Sequence, residues 1–365
     1  MAQGASGQTA PSGIPDIIAP NFKRRLSGVT STIVQLIPAQ RAAGLDIAAL
    51  GPGLPDGVAK MPCAGLAGLW TRPAGRTARV WHARRNTEMV AGLILRDMLR
   101  MPVKLVFTSA SQRHHKPFTK WLIGRMDAVI STSQKTAGYL ERPSTVILHG
   151  IDLERFHPAG DRAGAKRAVG LPADRKIVGC FGRIRRQKGT DLFAEALFAP
   201  LKAMPEWIAI IAGRTTAEHK GFEAELRARI ASEGLEDRIL FVGEHTDIER
   251  WYQALDLFIA PQRWEGFGLT PLEAMACAVP VIATDVGAFS ELIVEGETGH
   301  ILPDLKAETM QIAAERLMAD DALRETMGRK ARRHVEAHFS LEREVRQLAR
   351  VYDSVAPRTG TAAPR

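Results

Sequence analysis

Cysteine is scarce in this chain of 365 residues. Cys63, Cys180 and Cys277 are odd in number, far apart, and never arranged as CxxC. That excludes a disulfide framework and fits a reducing compartment. No apolar run reaches ~18 residues, so none is long enough to span a bilayer. The opening MAQGASGQTAPSG has neither the basic start nor the apolar stretch of a signal peptide. Aromatic residues make up only 6% of the chain, and no nucleic-acid-binding module is recognisable. The GxxxxGK[ST] order of a P-loop is missing as well: in FGRIRRQKGTD, Lys188 precedes Gly189. His334 and His338 have the i, i+4 spacing of a zinc pair, but they sit in a highly charged segment with no third ligand nearby, so no metal site is expected.

What is present is uneven charge. Residues 1–150 carry 19 Lys+Arg against 7 Asp+Glu, a balance of +12; residues 151–365 carry 30 against 33, a balance of −3. A basic N-terminal half suits a nucleic acid, an anionic membrane or an acidic substrate.

Patterning supplies the fold class. DIIAP, LDIAALG, RVWHA, KLVFTS, DAVISTS and TVILHG are strand-like in the first half. VTSTIVQLIPAQRA reads as a helix that Pro38 should end or kink. RNTEMVAGLILRDMLR reads as a helix with Asn86 or Thr87 as its cap. A stretch rich in turns and charges follows, and a domain boundary is expected near Pro158. KIVGCFG, WIAIIAG, RILFVG, DLFIAP and PVIATD then alternate with helical segments. Two such sets predict two doubly wound α/β domains with parallel sheets. The expected division is a disordered tail over 1–13, domains over 14–157 and 158–340, a helix over 341–355 packing back on the first domain, and a disordered tail over 356–365.

Two stretches carry chemistry. FGRIRRQKGTD, straight after a strand, places Gly182, Arg183 and Lys188 in a βα loop before a helix that Thr190 is expected to cap, which makes an anion site. In RWEGFGLTPLEAMA, Thr270, Pro271 and Glu273 read as a capping box opening a helix. That accounts for Glu273 but leaves Glu265 unexplained, beside a glycine turn at the ligand edge of a parallel sheet.

The combination resembles glycosyltransferase family 4, the retaining enzymes of GT-B fold. E265-x7-E273 within EGFGLTPLEAMACAVPVIATD, the loop FGRIRRQKG, the stretch LHGIDLERFHP and the ending VGAFSELIVEGETGHIL agree with that family in order and spacing. The resemblance implies two Rossmann-like domains facing a cleft. It implies Arg183 and Lys188 on the donor diphosphate, Glu265 on the donor sugar, Glu273 on the ribose, and the turn of Gly266, Phe267, Gly268 and Leu269 meeting sugar and phosphate. Gly28 matches the N-terminal glycine loop. His149 stands where the family often has Asn, and no histidine can be assigned a catalytic role by carry-over.

The N-terminal half further resembles the mannosyltransferases of lipopolysaccharide inner-core assembly in alpha-proteobacteria, through IAPNFKRRLSGVTSTIVQLIP, GPGLPDG, VWHARRNTEM and VFTSASQR. That implies transfer of mannose from GDP-mannose to a Kdo-containing lipid A precursor, by a cytoplasmic protein peripheral on the inner membrane, without metal or other cofactor. Lys23, Arg24, Arg25, His82, Arg84, Arg85, Arg113 and His114 are the acceptor-side candidates. The alternatives are a family relative using UDP-glucose or ADP-heptose on another acceptor, a degenerate relative that only binds, and, remotely, a nucleic-acid-binding protein.

Overall fold

The computed structural model describes residues 13–24 and 28–359. They form two compact units. One takes the chain up to Leu148 and again from Leu341; the other runs His149–Ser340.

The first unit is built on β1 (Ile17–Pro20), β2 (Ile47–Leu50), β3 (Arg79–Ala83), β4 (Val103–Ser109), β5 (Ala128–Ser131) and the short β6 (Thr145–Val146). All pair in parallel in the order β2-β1-β3-β4-β5-β6. β1, β2 and β3 are buried throughout, as strands covered on both faces must be. Alternation sorts their side chains. Ile17, Ala19 and Val80 join one core layer with Ile33, Ile37 and Leu348, while Ile18 and Trp81 join the other with Met89 and Leu122.

The second unit holds β7 (Lys176–Phe181), β8 (Trp207–Ala212), β9 (Ile239–Gly243), β10 (Leu257–Ala260), β11 (Val281–Thr284) and β12 (Gly299–Leu302). These too are parallel, in the order β12-β11-β10-β7-β8-β9.

Several expectations are corrected. Helix Gly28–Ala42 runs through Pro38, because buried Ile33, Leu36, Ile37 and Gln40 hold it on both sides. Helix Asn86–Leu93 is preceded by Arg85 at the cap position and continues as a π-turn over Ile94–Met98. The strand-like TVILHG pairs only at Thr145–Val146. The units divide at Leu148/His149, before the turn at Pro158, because the intervening stretch is tied into the second unit: Ile151 N–H donates to Phe339 O at 2.8 Å, and Arg332 donates to Phe156 O at 2.8 Å.

Helix Leu341–Val355 belongs to the first unit, burying Leu341, Val345, Leu348, Val351 and Tyr352 in its core. The expected tail does not begin at 356. Ala356 is buried, and its carbonyl accepts from Arg76 at 2.9 Å. Residues 1–12 and 360–365, read as tails, lie outside the described residues, as does Arg25.

Candidate active site

β7 lies between β8 and β10, so the chain leaves β7 to one side and returns past it to the other. In an open parallel sheet such a switch point leaves a crevice at the carboxyl ends of the strands. The loops Gly182–Gly189 and Pro261–Leu269 both leave that edge. They are stitched together: Arg263 N–H donates to Gln187 O at 2.9 Å, and its guanidinium donates to Arg186 O at 2.6 Å. The same guanidinium grips both carboxylate oxygens of Asp191, at 2.6 and 3.0 Å.

This stitching brings Lys188 and Glu265 into an ion pair, each side chain about one-fifth exposed (20% and 19%). The other Glu265 oxygen accepts from Gly266 N–H at 3.1 Å. Arg183 is exposed and has no ion-pair partner among the described residues. Half-buried Gly182 starts the loop. Gly189 ends it in the left-handed region (φ 71°), where a Cβ would overlap the Pro261 carbonyl. Gly189 therefore takes the cap position of helix Thr190–Ala203, and Thr190, expected there, is instead a buried first-turn residue with no capping bond.

The turn Gly266–Leu269 is equally constrained. Gly268 has φ 88°, and a Cβ there would run into the Phe289 ring. Phe267 is buried, its carbonyl accepts from Ala288 N–H at 3.0 Å, and its ring meets His149 edge-on at 4.7 Å. The backbone of the turn is thereby fixed from below.

The capping box read at TPLE does not form. Leu269 takes the cap position, Pro271 sits in the first turn, and the Thr270 hydroxyl is buried without a partner. Glu273 is free to turn elsewhere: it accepts a hydrogen bond from the Tyr252 hydroxyl at 2.7 Å. Burial pushes the Glu273 carboxyl above the usual carboxylate range, against the opposing pull of the Tyr252 bond and of Arg155. Tyr252, fully buried against Phe181 and Phe258, has its phenol pushed well up by burial and by Glu273. Nothing in DIERWYQAL pointed to Tyr252.

The first unit has its own switch point between β1 and β3. Lys23 and Arg24 follow β1 and are exposed, and exposed Gly28 opens the first helix with open space where a Cβ would stand. Arg85 is held by Glu88 at 2.7 Å, by Asn21 at 2.9 Å and by Thr30 at 3.2 Å. Arg84 gives its N–H to the other Glu88 oxygen at 2.7 Å and its guanidinium to His82 O at 3.3 Å. Glu88 was overlooked, although a glutamate at the third helical position is the usual partner of a helix start.

His82 is buried, its ring nitrogens bridging the Tyr352 hydroxyl (2.8 Å) and the Thr108 hydroxyl (2.7 Å). Burial, helped by Arg84, pushes its pKa well below the ordinary histidine value, which keeps it neutral. Arg113 and His114 are exposed beyond β4, His114 against Tyr139 at 5.3 Å. His334 and His338 lie 4.9 Å apart, and among the described residues no third ligand joins them.

The family of Glycosyl transferases group 1 matches residues 161–334. The chain is 58% identical over 344 residues to the lipopolysaccharide core biosynthesis mannosyltransferase LpsB of Rhizobium meliloti, covering 93% of this chain and 97% of that one. It is 55% identical over 340 residues to the lipopolysaccharide core biosynthesis mannosyltransferase LpcC of Rhizobium leguminosarum bv. viciae, covering 93% and 96%. Its fold is similar to that of HepE of Anabaena in complex with UDP, with a TM-score of 0.79 and 20% identity over 93% of this chain and 99% of the other.

Proposed function

The chain belongs to the group 1 glycosyl transferases, with the GT-B fold, and on that premise we propose that it moves mannose from GDP-mannose to a Kdo sugar of a lipid A precursor, with retention and without a metal ion. Its role as a glycosyltransferase of lipopolysaccharide core synthesis rests on the two mannosyltransferases it resembles along nearly its whole length.

The observation that carries the chemistry is the Lys188–Glu265 pair at the β7/β10 switch point. Without donor, each charge neutralises the other. A bound nucleotide sugar offers each a better match: diphosphate for Lys188, sugar hydroxyls for Glu265. Arg183 adds a second cation, and the first turn of helix Thr190–Ala203 adds a positive dipole end. Together these stabilise the charge that builds on the leaving diphosphate. Glu265 orients the sugar rather than attacking it. The acceptor hydroxyl attacks from the face the diphosphate leaves, and a diphosphate oxygen takes its proton. Glu273 holds the ribose with the carboxylate that Tyr252 steers.

The acceptor is an anionic glycolipid met by the basic first unit at the inner face of the inner membrane. Each Lys or Arg close to such a surface contributes about 1 kcal/mol. Among the described residues no helix is long and apolar enough to cross a membrane, so the association proposed is peripheral.

Calorimetric titration with GDP, UDP and ADP, without added metal, tests the donor. GDP binding most tightly, followed by mannose transfer from GDP-mannose to a Kdo-bearing lipid A precursor, is the expected result. Preference for UDP or ADP overturns the mannosyl assignment.

A further inference from the structure

The first unit contains an apolar cavity of about 280 Å³ that none of the groups above uses. Phe22, Leu66, Trp81, Ala91, Ile94 and Leu95 line it, and the turn at Leu50–Pro52 closes one side. Trp81 forms part of the wall with its ring carbons, because its indole N–H is spent on the Glu88 carbonyl at 2.8 Å. The cavity reaches solvent at Phe22 and Ile94, which line it while remaining 39% and 42% exposed. An apolar cavity of about 150 Å³ already stays dry and takes benzene, so this one has room for a hydrocarbon chain.

Its surroundings specify the rest of the ligand. Phe22 runs directly into exposed Lys23 and Arg24, which puts two cations beside the mouth. Past Ile94 the chain carries exposed Met98 and Leu99, and the exposed Trp70 donates its indole N–H to Leu99 O at 2.9 Å. An apolar slot flanked by cations fits an amphiphile with a hydrocarbon tail and an anionic head. The slot lies where β1 and β2 end, on the carboxyl edge of the sheet, where open parallel sheets take substrates. We propose that the cavity seats one acyl chain of the lipid-linked acceptor, with Lys23 and Arg24 meeting the neighbouring anionic group. This inference rests on the acceptor assignment above.

One arm of the test needs no turnover. Cys63 lines the cavity and is exposed, whereas Cys180 and Cys277 are buried, with burial pushing the Cys180 thiol up to about 12 and Cys277 higher still. Iodoacetamide therefore reads Cys63. Monododecyl phosphate, kept below its micelle concentration, should slow that alkylation about threefold at about twice its dissociation constant. Ala91→Trp, which fills the slot, and Leu66→Asp, which makes its wall polar, should each abolish the protection. Protection by inorganic phosphate alone, or equal protection by phosphatidylglycerol vesicles, overturns the proposal, as does no protection by the dodecyl chain.

The second arm compares an acylated Kdo acceptor with its deacylated counterpart. The acylated form should have a KM lower by about tenfold or more, the equivalent of burying at least about two methylenes, and both variants should shrink that advantage. Equal KM values for the two acceptors in the unaltered protein sink the acyl seat while leaving the transfer reading intact. Cys63 protection with no mannose transfer to either acceptor leaves the seat in place and removes the transfer reading.

Discussion

At the scale of single residues, the two carboxylates of the candidate site differ in environment. Glu265 is neutralised by Lys188 and steadied by Gly266 N–H. Glu265→Gln keeps the shape and removes the charge, so kcat should fall about 10–100-fold, the worth of one charge-assisted hydrogen bond, while GDP affinity by calorimetry stays nearly unchanged. Near-normal turnover would take Glu265 out of the site. Lys188→Ala should instead weaken GDP binding by about tenfold or more, and unaltered binding would contradict the diphosphate assignment.

Glu273 carries a pH signature. Its raised pKa means that folding favours the protonated carboxyl, so its contribution to stability is full below the ordinary carboxylate range and is lost as pH rises through the raised value. The Tyr252 bond pulls the other way, toward the charged form. Tyr252→Phe should therefore move the acid limb of GDP binding to higher pH. A limb that stays in place would separate Tyr252 from the charge on Glu273.

At the scale of elements, turn geometry decides. Gly268 combines φ 88° with a Cβ position already filled by the Phe289 ring. Gly268→Ala should cost about 1–3 kcal/mol and lower the melting temperature by several degrees, read by thermal unfolding. RVWHA matched β3 residue for residue although it buries Arg79 and His82, and KIVGCFG and WIAIIAG matched β7 and β8 closely, because buried parallel strands are written as largely apolar runs. Caps were less readable. Thr190 and Thr270 looked like caps, yet Gly189 and Leu269 hold those positions, because close packing of the neighbouring loop outweighs a local hydroxyl bond. β12 and helix Ala307–Ala319 were not foreseen: GHIL is a short strand at the sheet edge with only partial burial.

At the scale of the whole molecule, the chain's return to its first unit is the main structural dependence. Leu348 packs in the same core layer as Ile17 and Ile33. Leu348→Ala should destabilise that unit by about 2–5 kcal/mol, visible as its earlier unfolding in denaturant. A transition unmoved by the change would show that helix Leu341–Val355 is not part of that core.

The sequence by itself determined eleven of the twelve strands among the described residues in their order along the chain, the two-domain α/β class and the placing of Arg183, Lys188 and Glu265 in loops after strands. Periodicity, glycine turns and charge act over a few residues, so they can be read from neighbours alone. Only the tertiary structure decided which loops meet. Lys188 finds Glu265 across 77 positions because β10 pairs with β7, and His82 finds Tyr352 across 270 because the last helix folds back onto the first sheet. Contacts of that separation depend on the path of the whole chain, and no local pattern records them.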